Sequence, residues 1–97
     1  MHIREYQKLM HQLYFHKDSK RGAKGTFDRL VDEVAELGEA LAGQDKETLE
    51  KEFADALAWL ASLANVADVD LEKAAIDKYN GKCPKCGNSP CKCPFLV

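Results

Sequence analysis

A chain of 97 residues has room for one compact domain and not for two of ordinary size. Its net charge of -2 lacks the basic excess of a nucleic-acid binder, so nucleic acid is not an expected partner. No stretch reaches the roughly 18 to 20 apolar residues of a membrane helix, and Met1-His2-Ile3-Arg4-Glu5 carries no apolar signal core, so a cytoplasmic protein away from membranes is expected. The core available to so short a chain is modest, and a metal clip or a partner subunit would help it.

From Ile3 to about His16, apolar residues recur at three and four (Ile3, Tyr6, Leu9, Met10, Leu13, Tyr14), which predicts a first amphipathic helix. His2, His11 and His16 do not share one face of it, which argues against a histidine metal site. Residues 17–25 hold two glycines and a dense set of charges, and read as a loop. That loop is either a solvated connector or a phosphate-binding segment supplying Lys20, Arg21 or Lys24.

Thr26 is the expected N-cap of a second helix with the stripe Phe27, Leu30, Val31, Val34, Leu37 and Leu41, ending near Gly43. Within it, Glu33 and Glu36 border the stripe without entering its centre. After a short Gln44-Asp45 connection, Asp45 caps a third helix running to about Val66, with Leu49, Phe53, Leu57, Leu60 and Ala64 as its stripe. Glu52 and Asp55 flank that stripe with Trp59 one turn on. Two carboxylate pairs of the same spacing on consecutive helices can converge on a hard divalent cation, although glutamates at helical spacing are also common on solvated faces. A fourth helix opens at Asp70 and closes at Asn80-Gly81.

All four cysteines fall in the tail, as Cys83-x-x-Cys86 and Cys91-x-Cys93. Clustered thiols in a reducing compartment favour structural zinc over disulfides or free thiols, with an iron–sulfur cluster as an alternative that has no supporting spacing.

Asp32-Glu33-Val34-Ala35-Glu36 followed by Glu52-Phe53-Ala54-Asp55 resembles the two-part acidic signature of MazG-like nucleotide pyrophosphohydrolases, which are all-α enzymes. The downstream Val69-Asp70-Leu71-Glu72-Lys73-Ala74 and Lys78-Tyr79 resemble that family's last core helix. The resemblance implies that Glu33, Glu36, Glu52 and Asp55 bind magnesium, and that Lys78 and, more weakly, Lys82 contact substrate phosphates. It also implies a homodimer or dimer of dimers. Asp32 and Lys82 depart from the residues most common in the family, and the cysteine tail lies outside its core pattern.

The expected architecture is thus an all-α four-helix domain over residues 1–80 with a zinc-knuckle tail over 81–97. The expected activity is magnesium-dependent cleavage of a nucleoside triphosphate to the monophosphate and pyrophosphate. One carboxylate, Glu36 for instance, would serve the attacking water. Trp59, Tyr14 or Phe15 could stack on the base, although core packing is the commoner role for each. The alternatives are a non-enzymatic module using the knuckle and Lys82, Lys85 and Lys92 to bind nucleic acid or protein, and a phosphoribosyl-ATP pyrophosphohydrolase.

Overall fold

The computed structural model describes residues 1–95; Leu96 and Val97, the last two residues of the expected tail, lie outside the described residues. Among the described residues there are three helices where four were expected: α1 (Ile3–Ala42), α2 (Lys46–Val66) and α3 (Leu71–Lys78). The difference lies in residues 17–25, which are helical apart from a kink at Gly22 and so join the expected first and second helices into one bent element. Lys, Arg and Ala in this segment are good helix formers, and the charge density that reads as a loop is compatible with an exposed helical face.

One residue interrupts α1. Gly22 has φ 80° and ψ 173°, a conformation essentially confined to glycine, and it divides α1 into two arms. Thr26 consequently lies inside the second arm and caps nothing; it is fully buried. Replacing Gly22 by Ala should cost about 1–3 kcal/mol in urea unfolding, because a Cβ meets open space there and only backbone strain opposes it. An unchanged midpoint would mean that the arms need no break at this residue.

The other boundaries follow local chemistry. Asp45 caps α2 by accepting from the Glu47 backbone N–H at 3.2 Å and the Thr48 hydroxyl at 2.6 Å. Asp70 caps α3 by accepting from the Lys73 N–H at 3.1 Å, and Arg4 of the first arm donates to the same carboxylate at 3.0 Å. Gln7 is buried where α1, the end of α2 and the start of α3 meet. Its amide nitrogen donates to Asn65 Oδ1 at 3.1 Å and Val69 O at 2.7 Å, while its oxygen accepts from the Leu71 N–H at 2.9 Å. Gln7→Ala should therefore lower stability by about 1–3 kcal/mol, measured by denaturant melting, since it leaves several buried backbone and amide groups unpaired.

The core is small. Met10, Ala61 and Ala64 are the buried apolar residues among those described, joined by Gln7, Asp18, Thr26 and Ser62. The expected apolar stripes divide into two faces. Leu30, Glu33, Leu37 and Ala40 of α1 meet Leu49, Glu52, Ala56, Trp59 and Leu63 of α2 in a partly buried seam. Phe27, Val31, Val34 and Leu41, with Phe53, Leu57 and Leu60, lie on the adjacent side and are exposed, Val34 by 53% and Phe53 by 56%. The second face was expected in the core; a hairpin of two helices covers only one side of each, which leaves it open. Among the described residues, no helix is long and apolar enough to cross a membrane.

Candidate active site

The α1–α2 seam is where the acidic residues meet. Glu33 and Glu36 stand one turn apart on α1, and Glu52 faces them from α2, each offering an oxygen within 4.8 Å of the others. Glu33 is thus more central than its expected place at the border of the stripe: it occupies the seam position between Leu30 and Leu37. Asp55 lies beside this trio, outside the tightest cluster, and close enough that its charge acts on both Glu33 and Glu52.

Glu33 and Glu52 each have one carboxylate oxygen, Oε2, shut off from solvent with no hydrogen-bond partner. Burial raises the Glu33 carboxyl above its ordinary range, and Glu36, Asp55 and Glu52 raise it further. The Glu52 carboxyl is raised by burial, then by the charges of Glu36, Asp55 and Glu39. Orphaned oxygens within a repelling carboxylate set fit a hard divalent cation, which would satisfy them and offset the repulsion.

Such raised groups bind protons more tightly in the folded chain than in the unfolded one. Their contribution to stability is present in acid and is lost as pH climbs through the raised values. Magnesium should therefore raise Tm at neutral pH, and the increment should shrink as pH falls and protons compete for the same oxygens. An increment that stays flat between about pH 5 and 8 would place the stabilisation elsewhere.

Asp55 also opens onto a cleft of about 300 Å³ lined by Tyr14, Lys17, Asp18, Arg21, Ala58, Trp59 and Ser62, at the lower end of ligand-site volumes. The α1 wall of this cleft, Tyr14, Lys17, Asp18 and Arg21, comes entirely from the arm that precedes Gly22. Asp18, 2% exposed, accepts from Arg21 Nη1 at 2.6 Å and holds the guanidinium at its edge. The Arg21 stem passes over Gly25, where a Cβ would come within 2.6 Å of its Cγ. Arg21 and Arg29 both lie over the Trp59 ring, 4.8 and 5.2 Å from its centroid. A second cleft, lined by Arg4, Gln7, His11 and Phe15 among others, shares no residue with the acidic cluster.

Of the basic positions singled out in the sequence, Arg21 alone lines the cleft beside Asp55. Lys20 is exposed, Lys24 pairs with Asp28 at 3.0 Å, Lys78 lies over the Tyr79 ring, and Lys82 borders a groove in the tail. Trp59 and Tyr14 line the cleft, whereas Phe15 stacks on His11 with centroids 4.1 Å apart. Asp18, Lys17, Ser62 and Arg29 also stand at the cleft or on the Trp59 ring, and none of them is a site candidate from the sequence alone. The three-residue spacing of Asp18 and Arg21 would have signalled their pairing had the segment been read as helix.

In the tail, the Cys83 N–H donates to Asn88 O at 3.0 Å and the Gly87 N–H to Cys83 O at 2.8 Å, folding the first cysteine pair into a tight turn. The backbone N–H of Lys92 donates to Cys86 Sγ at 3.3 Å and is the leading cause that draws its thiol down to about 6. Cys93, facing first Cys91 and then Cys86, is pushed up to about 12. Sulfurs this close do not all ionise unaided.

A helical hairpin with carboxylates converging in its seam, beside a cleft edged by arginine and tryptophan, has the parts of an all-α, divalent-metal hydrolase. The MazG nucleotide pyrophosphohydrolase domain matches residues 21–87, and the chain belongs to this family. Its members hydrolyse nucleotides and typically depend on a divalent metal. The match takes in Glu33, Glu36, Glu52 and Asp55 and extends into the tail beyond Cys86. No curated protein matches the chain.

Proposed function

We propose that this chain is a magnesium-dependent nucleoside triphosphate pyrophosphohydrolase that acts as a homodimer or a dimer of dimers and clears surplus or non-canonical nucleotides. The observation that carries the reading is the pair of orphaned, buried oxygens on Glu33 and Glu52 within a cluster of three carboxylates. Glu33, Glu36, Glu52 and Asp55 would hold magnesium, which when bound supplies charge neutralisation at the phosphates and a more acidic water.

The chain's own residues account for the remaining steps. Arg21, fixed by Asp18 and the Trp59 ring, offers its free N–H groups to phosphate oxygens at the mouth of the cleft. Water attacks the α-phosphorus and the α–β bridge breaks, so a nucleoside monophosphate and pyrophosphate leave. Glu36, the exposed member of the trio, takes the water's proton. Trp59 serves mainly to hold Arg21 and Arg29, and Tyr14 is the freer aromatic for the base. The exposed apolar face of both long helices supports assembly, since a second copy would bury it.

The test is a panel of ribo- and deoxyribonucleoside triphosphates, modified bases and phosphoribosyl-ATP, assayed with magnesium for pyrophosphate and monophosphate. Turnover of at least one nucleoside triphosphate is expected. A silent panel would overturn the proposal, and turnover of phosphoribosyl-ATP alone would move the chain to that related activity.

A further inference from the structure

The tail contains a second cluster of metal-ligating side chains, separate in chemistry from the carboxylates. Cys83, Cys86, Cys91 and Cys93 bring their four sulfurs within 4.8 Å of one another. Two contacts run between the cysteine pairs: Cys83 Sγ to Cys93 Sγ is 3.8 Å and Cys86 Sγ to Cys91 Sγ is 3.9 Å. A tetrahedral ion with metal–sulfur bonds of about 2.3 Å sets its sulfurs about 3.8 Å apart, which is the separation of both contacts. Disulfide bonding would draw each pair to about 2.05 Å.

The backbone supports the same reading. Beyond the Lys92 N–H on Cys86, the Cys93 N–H donates to Cys91 Sγ at 3.3 Å, so each cysteine pair has an amide aimed at a sulfur. Such donors stabilise negative charge on sulfur and orient metal-bound thiolates. Asn88 braces the first turn by donating from its side chain to Cys86 O at 3.2 Å. No large apolar side chain is buried among residues 81–95, and Phe95 is almost wholly exposed, so hydrophobic packing is a poor source of order here.

We propose that Cys83, Cys86, Cys91 and Cys93 bind one thiophilic divalent cation of the zinc class, and that this ion holds the tail in its folded shape. Four thiolates complete a tetrahedral shell, so the ion has no open position for substrate and its role is structural. Sulfur and oxygen donors also keep the two metal sites of the chain apart, because magnesium prefers the carboxylates and zinc the thiolates.

The experiment uses the full chain, purified untagged under reducing conditions, and measures zinc, iron and labile sulfide per chain alongside intact mass. One zinc per chain is expected, with cobalt(II) replacing it to give the intense visible bands of a tetrahedral thiolate complex. Cys86→Ser and Cys93→Ser should each lose most of the zinc while keeping the helical circular dichroism of the parent, which separates ligand loss from general unfolding. In the loaded protein, trypsin should cut slowly after Lys82, Lys85 and Lys92, and a zinc chelator should expose these sites. A mass lower by four hydrogens would identify two disulfides, and iron with labile sulfide a cluster. Either result, or free thiols without metal, would overturn the proposal.

Discussion

Glu36→Gln and Asp55→Asn should each lower pyrophosphate release by roughly 10²- to 10⁴-fold, the range for loss of a group acting on the reacting water or its metal. Glu33→Gln should lose activity as well, yet without divalent metal it should melt a few degrees above the parent. The basis is the crowding in the seam: the Glu33 carboxyl is raised by burial and by three neighbouring carboxylates, so a neutral amide of the same shape removes repulsion the folded chain otherwise carries. The same variant should show a smaller rise in Tm with magnesium. Higher intrinsic stability with lower activity is the signature of a strained functional cluster, which a solvated acidic face would lack. Full activity in Glu33→Gln, or a melting temperature indifferent to the change, would mean that the seam carboxylates are ordinary surface charge.

Val34→Glu is expected to convert the assembled protein to a monomer, weakening association roughly a hundred-fold or more. Val34 lies among Phe27, Val31, Leu41, Phe53, Leu57 and Leu60 on the open face of the hairpin, and a charge buried there without a partner opposes assembly. Because the buried apolar set among the described residues of one chain is small, association should supply much of the stability, and the parent's Tm should rise with protein concentration. Light scattering across a concentration series checks both expectations. Glu50→Gln, on the exposed side of α2, should leave the oligomer intact. A parent protein that is monomeric at all concentrations would mean that the open face has another use.

Much of this architecture was legible in the residue order, where local chemistry decides structure. Asp45 and Asp70 start their helices as their side chains dictate, and the turn near Gly43 falls where the periodicity ends. The charged segment 17–25 departs from its loop reading because glycine and charge density mark loops only on average. Here a single glycine makes the break, and the rest stays helical. Thr26 shows the same limit, since a cap and a buried threonine look alike until the neighbouring backbone is known.

The acidic site was legible as two spacings on two helices; its depth was not. Periodicity assigns a face to each residue but does not say which face the partner helix covers, so Glu33 read as a border residue although it occupies the seam. The cleft depends on long-range pairing of the first arm of α1 with α2, and of its lining the sequence marks only Arg21, Trp59, Asp55 and Tyr14 as site candidates. The cysteine cluster is the most readable feature, because thiols so near in sequence need little tertiary information to meet.

The most direct test of the central claim is manganese(II) binding followed by electron paramagnetic resonance, with zinc-loaded protein so that the thiolates are already engaged. The parent should remove free manganese from solution, and magnesium should displace it. Glu52→Gln and Asp55→Asn should each bind at least about 10-fold more weakly. Equal binding by the parent and both variants would contradict a divalent-cation site in the α1–α2 seam.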